Sequence, residues 1–176
     1  NGEWIGLFNE QSLQLVDQQQ RVRAFLDQFF IETPQRFGFD SVQPLLESDE
    51  FVLIGAEKML EKNGLWKAST SQSTTQLLFD GTEIEGYISG FRISPDGQMA
   101  AIIYPSSPDI YFFVIDIQSR QLIYRWISPY TISTPYVHWS PDSRYIVFPY
   151  QSMAPGEPAT KSDIVFGIQI MDILTG

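Results

Sequence analysis

The sequence predicts an all-β chain built of β-propeller blades, each a four-stranded antiparallel meander, forming an arc of a larger propeller of about six to eight blades. Three observations predict it. A Ser-Pro-Asp turn recurs at Asp96 and Asp142, 46 residues apart. The runs that flank it are rich in β-branched and aromatic residues and have strand length. The run 98–104 is apolar on both alternating faces, with Met99, Ala101 and Ile103 on one and Ala100, Ile102 and Tyr104 on the other. A strand with two apolar faces must be covered on both sides, as a blade is by its neighbours.

The repeat extends toward the N-terminus. Asp49, in Ser48-Asp49-Glu50 before Phe51-Val52-Leu53-Ile54, lies 47 residues before Asp96. Asn1, in Asn1-Gly2-Glu3 before Trp4-Ile5-Gly6-Leu7-Phe8, lies 48 before Asp49. These anchors give units of about 1–48, 49–95, 96–141 and 142–176 within one propeller segment, 1–176. Each turn has a chemical reason: proline presets φ, aspartate bonds its own backbone and glycine accepts positive φ. A second landmark follows each anchor. It is Leu15-Val16-Asp17 in the first unit and Leu65-Trp66-Lys67-Ala68 in the second. In the third it is Val114-Ile115-Asp116-Ile117, and in the fourth Ile170-Met171-Asp172-Ile173. On this count residues 98–104, 111–117 and 144–149 are buried strands. Asn1 falls inside a first-to-second turn and Gly176 at a third-to-fourth turn. Two complete blades are therefore expected between two three-stranded ones, with Trp4 and Phe166 near the exposed or partner-covered ends.

This pattern of Ser94-Pro95-Asp96-Gly97, Ser140-Pro141-Asp142-Ser143 and Ile170-Met171-Asp172-Ile173 before Leu174-Thr175-Gly176 resembles the propeller repeats of TolB-type and WD-repeat-like bacterial families. Their units carry the Ser-Pro-Asp-Gly turn between the first two strands and an apolar-Asp-apolar third strand ending near Thr-Gly. The resemblance covers 90–176 best, then 1–20, and least 21–89. The histidine and Trp-Asp signature of eukaryotic WD repeats is absent. Members of these families include binding scaffolds, sensors and gating domains of serine peptidases, so the resemblance implies a fold and leaves the function open.

Composition narrows the function. The 176 residues carry a formal charge of −10 and 4 Trp, 8 Tyr and 13 Phe. An acidic surface repels phosphate backbones and anionic lipid, which argues against nucleic-acid and membrane-surface partners. No apolar run is long enough to span a bilayer. The chain has no cysteine, which excludes disulfides, thiolate metal sites and thiol nucleophiles. It opens on Asn1 without a methionine, as a processed or excised segment would. Of the compartments left open, an extracytoplasmic one is preferred.

Catalytic chemistry is sparse. His138 is the single histidine and is expected as a hydrogen-bonded core residue on an innermost strand. There is no Gly-x-Ser-x-Gly elbow, phosphate-cradling loop or Asp-x-Asp-x-Asp-Gly calcium loop. Asp96 and Asp142 are explained by their turns, and Asp116 and Asp172 as acceptors beside the third-to-fourth turns. No catalytic residue, cofactor or metal is therefore assigned.

Function is sought where the loops are. In a meander the first-to-second and third-to-fourth turns share one end, here the short ones. The opposite end receives the connections 27–42, 57–63, 80–88, 105–109, 128–135 and 151–162, expected to be long. Between its Ser-Pro-Asp serine and its second landmark, the fourth unit is ten residues longer than the third, which marks 152–161 as an insertion. The candidate partner-binding residues on this end are Phe37, Phe39, Tyr87, Tyr130 and Glu157. The expected partner is a protein or peptide, alongside further blades from a parent chain or another subunit. The main reading is a non-catalytic interaction module. The alternatives are the propeller domain of a larger serine peptidase-like enzyme and a carbohydrate-active propeller, which would need a carboxylate pair spaced for glycosidic chemistry.

Overall fold

A computed structural model describes residues 5–9, 12–16, 22–26, 29–30, 42–45, 48–57, 62–69, 74–81, 88–106, 109–128, 131–132, 137–153 and 164–175. Every regular element among them is a β-strand, and they form four antiparallel sheets. The chain divides into two units, Asn1–Ile88 and Ser89–Gly176, with two sheets in each.

In the first unit, β1 (Ile5–Asn9), β2 (Ser12–Val16) and β3 (Val22–Leu26) make a three-stranded sheet in chain order. The second sheet contains β4 (Phe29–Phe30), β5 (Val42–Pro44), β6 (Glu50–Glu57), β7 (Lys62–Ser69) and β8 (Thr75–Asp80). Both β4 and β5 pair with β6, Phe29 opposite Glu57 and Val42 opposite Leu53, so they are two pieces of one interrupted first strand. Phe51, Leu53, Trp66 and Ala68 form its buried cluster, with Val42 and Leu77 packed against it.

The second unit repeats the plan. Its first sheet is the meander β9 (Gly90–Ile93), β10 (Met99–Ser106), β11 (Asp109–Asp116) and β12 (Leu122–Ser128). Its second contains β13 (Thr131–Ile132), β14 (His138–Trp139), β15 (Tyr145–Met153) and β16 (Ile164–Asp172). The first strand is again interrupted, since β13 and β14 both pair with β15. Pro149, which has no N–H to give a neighbour, lies in the unbridged stretch between them. Among the described residues β16 pairs only with β15, so this sheet has no outer strand. Among the described residues, with each interrupted first strand counted once, the four sheets have three, four, four and three strands in chain order.

The β9–β12 sheet is buried on both faces. Ala100, Ile102, Tyr104, Phe113 and Ile115 are buried on one face and Ala101, Ile103, Phe112 and Val114 on the other. The second set packs on Ile146, Phe148, Met171 and Ile173 of the following sheet. At the centre Phe112 stacks on Phe148 with ring centroids 4.7 Å apart, and Trp126 lies 5.5 Å from both. The strand expected over 144–149 differs in one respect. Ile146 and Phe148 are buried, but Tyr145, Val147 and Pro149 on its other face are only half-buried, because no sheet among the described residues covers that face.

The ten extra residues of the fourth unit are shared out. Strands β15 and β16 are each one residue longer than β10 and β11, and the remainder lies in the connection 154–163. The connection expected to be long over 105–109 is confined to residues 107–108, since β10 runs to Ser106 and β11 starts at Asp109. Strands likewise occupy parts of the other expected loops, namely Phe29–Phe30, Val42, Glu57, Lys62, Asn63, Asp80, Ser128, Thr131–Ile132 and 151–153.

Truncating the doubly covered sheet removes buried volume that neighbouring strands cannot collapse to fill. Ile102→Ala and Ile115→Ala are each expected to cost about 2–5 kcal/mol. Urea unfolding followed by tryptophan fluorescence checks this, and a change below about 1 kcal/mol contradicts the burial.

Candidate functional site

At the tight-turn end the chemistry is fully visible. Ser94 Oγ donates to Asp96 Oδ1 at 2.5 Å and accepts the Met99 N–H at 2.9 Å, while Asp96 Oδ1 also accepts the Gln98 N–H at 3.0 Å. The second turn repeats this atom for atom. Ser140 Oγ donates to Asp142 Oδ1 at 2.5 Å and accepts the Tyr145 N–H at 2.8 Å, and Asp142 Oδ1 accepts the Arg144 N–H at 3.2 Å. Backbone bonds close each turn, Gly97 N–H to Ser94 O at 2.8 Å and Ser143 N–H to Ser140 O at 2.9 Å. Gly97 has a φ of 75° and Ser143, its counterpart, 59°. A serine in the left-handed region is strained. Ser143 is buried, and its Oγ accepts the Asp96 N–H of the neighbouring turn at 3.1 Å. Trp139 ties the same two sheets together by donating its Nε1–H to Arg92 O at 2.9 Å.

The third-strand aspartates are occupied as well. Asp116 Oδ1 accepts the Ser119 N–H at 2.6 Å, in a turn where Arg120 has a φ of 62°. Asp172 Oδ1 accepts the Leu174 N–H at 3.0 Å, and its Oδ2 accepts Nε and an Nη of Arg144 at 3.0 and 2.6 Å. Hydrogen bonds to the charged form hold these carboxyls below the usual range: the Ser119 N–H for Asp116, the Ser140 hydroxyl and Arg144 N–H for Asp142, the Arg144 guanidinium for Asp172. The Asp172 pair raises the Arg144 guanidinium in turn. These groups build turns and leave little for a ligand.

In the second sheet the corresponding turn closes through the Leu45 N–H to Glu50 O at 2.9 Å, matching Ser94 to Met99 and Ser140 to Tyr145. In this register Asp49 stands where Gln98 does, two residues beyond the position of Asp96. It accepts Ser69 Oγ at 3.0 Å from the next strand.

His138 corrects an expectation. It does lie on an innermost strand, but it is exposed rather than a core histidine, because alternation along β14 gives the neighbouring position to Trp139. Among the described residues no group of three His, Asp or Glu is placed to hold a metal, and no helix is long and apolar enough to cross a membrane. The candidate residues Phe37, Phe39, Tyr87, Tyr130 and Glu157, and with them Trp4, lie outside the described residues. Phe166 is described and is 76% exposed, as expected of the last sheet. Two features were not anticipated. Arg125 lies over the Tyr111 ring at 5.4 Å and the Phe113 ring at 5.9 Å. Ile168 and Ile170 continue the exposed stripe begun by Phe166, a pattern visible in the sequence as alternation along 166–170.

No protein-family model and no curated protein sequence matches the chain. Solved structures do, at the level of fold. The β-propeller domain of the Trilobed protease from Pyrococcus furiosus, which has an open velcro topology, superposes with a TM-score of 0.63 and 11% identity, over 97% of this chain and 50% of that one. Hydrazine synthase of Kuenenia stuttgartiensis gives 0.58 and 15%, over 96% of this chain and 59% of that one. Acylaminoacyl peptidase of Pyrococcus horikoshii gives 0.55 and 15%, over 78% and 24%. The chain thus spans between half and three fifths of the first two structures. It is a β-propeller segment, and at these identities the likeness is one of fold alone.

Acid should weaken the turns. A carboxyl whose folded pKa is depressed stabilises the fold fully above its unfolded value and loses that contribution as pH falls through the folded one. Stability is therefore expected to hold from pH 7 to about 5 and to fall from about pH 4 downward as Asp116, Asp142 and Asp172 protonate. Urea midpoints across that range check it. Asp116→Asn should flatten the slope, and an unchanged acid limb contradicts the assignment.

Proposed function

We propose that the chain is a non-catalytic propeller module that presents the end of its sheets opposite the tight turns to a protein or peptide partner. One observation carries this reading. At the tight-turn end Ser94, Asp96, Ser140, Asp142, Asp116 and Asp172 are consumed by internal hydrogen bonds, which makes that end architectural. The strand ends on the other side are joined by 58–61, 81–89, 129–130 and 154–163. In sequence Tyr87, Tyr130 and Glu157 belong to these connections, and Phe37 and Phe39 to the span between the two pieces of the interrupted first strand, and we take all five as the binding residues. Aromatic side chains supply large contact area at small entropic cost, and Glu157 joins an acidic chain suited to a basic partner. The resemblance of the repeats to TolB-type and WD-repeat-like bacterial propellers, whose members include binding scaffolds, supports the same reading.

A second reading has its own support. Several propellers of similar fold belong to peptidases, among them the Trilobed protease, acylaminoacyl peptidase and prolyl endopeptidases. Under it this segment is the propeller portion of a larger peptidase, and the same connections would face the catalytic domain.

The absence of cysteine allows a clean test, because a single introduced thiol can carry a photo-crosslinker. Crosslinkers at Tyr87, Tyr130 and Glu157 are expected to capture a partner from the source extract, and those at Gln118 and Asp96 are not. Equal capture from both ends contradicts the proposal. A captured species that proves to be a peptidase domain decides for the second reading.

A further inference from the structure

The last sheet carries an apolar stripe on the face that no other sheet covers among the described residues. Phe166, Ile168 and Ile170 on β16 are 76%, 71% and 62% exposed. They share that face with Val147 and Pro149, since Ile170 pairs with Val147 and Ile168 with Pro149. Apolar side chains at alternate positions of an unpaired edge strand mark an interface or an aggregation hazard.

The molecule itself shows what such a face receives. Asp172 pairs with Tyr145 as Asp116 pairs with Met99, so Ile170, Ile168 and Phe166 stand where Val114, Phe112 and Ile110 stand one sheet earlier. Val114 and Phe112 are completely buried there. Two groups bury them. The outer strand β12 sets Tyr124 opposite Val114 and Trp126 opposite Phe112. The next sheet sets Ile146, Phe148 and Met171 against the same residues, with Phe148 stacked on Phe112. Both groups are lacking around Ile168 among the described residues.

From this equivalence we propose that Phe166, Ile168 and Ile170 are the seat of a further propeller blade. That blade supplies an outer strand to β16, with an aromatic or large aliphatic residue opposite Ile168. It also supplies a leading face with apolar residues at the positions of Ile146, Phe148 and Met171. The occupant is a blade rather than a peptide in a groove, because the face to be covered spans two strands, as the Phe112 face does.

The repeat provides its own probe. In a chain in which residues 117–176 are repeated after Asp172, the junction joins equivalent positions and the added segment carries both the outer strand and the leading face. Ile168→Cys in the first copy is the reporter, the only thiol in the protein. In the 176-residue chain it should react with a soluble disulfide reagent at nearly the rate of a free thiol. In the extended chain it should react at least about tenfold more slowly, through opening of the fold. A second extended chain, with lysine replacing the added copies of Trp126 and Phe148, should restore the fast rate. An unprotected thiol in the first extended chain overturns the proposal, whether the added blade stays open or docks elsewhere. Sedimentation of the 176-residue chain tests the competing occupant. A dimer that Ile168→Lys dissolves assigns the face to a second copy and likewise overturns it.

Discussion

The stack of Phe112 on Phe148 is the interaction around which the second unit is organised. It brings the third strand of one sheet onto the second strand of the next, with Trp126 wedged against both rings. Rings at this separation gain more than their buried area alone provides. The stack also fixes how the remaining side chains alternate. Once Phe112 faces forward, Val114 does too, while Phe113 and Ile115 must face back, where they are equally buried. A sheet so loaded cannot be stable alone, so the sheet that follows it is part of its folding unit.

The tight turns hold that packing in register. In each Ser-Pro-Asp turn the serine hydroxyl is both donor and acceptor, to the aspartate and to the first amide of the next strand, which sets where the ladder begins. The bond from the Asp96 N–H to Ser143 Oγ then joins one turn to the next. Replacing Ser143 by glycine would relieve its backbone strain but remove this link. The retention of a serine with positive φ is understandable in those terms.

The second unit was the more legible from sequence, for two reasons. Its turns carry their own chemistry in consecutive residues, and the strand after Asp96 is apolar on both faces, which only a two-sided burial explains. The second sheet was less so: its turn lacks the Ser-Pro-Asp residues, and Asp49 attracts an alignment that the Leu45–Glu50 hydrogen bond places two residues away. The interrupted first strands were not legible, because Phe29–Phe30 and Thr131–Ile132 are too short to show a period and are held by pairing with β6 and β15. His138 was misjudged because a strand of two residues gives no alternation from which to decide which member faces inward. The candidate binding residues rested on expected loop positions, with no chemical motif behind them.

The second landmark has a structural meaning that the sequence does not announce. Between Leu15 and Val16, Leu65 and Trp66, and Val114 and Ile115 the pairing to the outer strand slips by one residue, leaving Arg23, Leu78 and Ile123 without a ladder partner. Each outer strand therefore changes phase once along its length. In β12 the effect is concrete. Ile115 pairs with Leu122, and an unbroken ladder would carry Arg125 to Phe112 and Trp126 to Tyr111. The slipped residue instead delivers Trp126 to Phe112 and Arg125 to Phe113, the indole into the apolar seam and the guanidinium onto the opposite rings. The outer strand thus works as an offset key whose single extra tooth sorts aromatic from cation. A ladder that kept Ile123 in step would swap the two faces without changing a single side chain between 124 and 128.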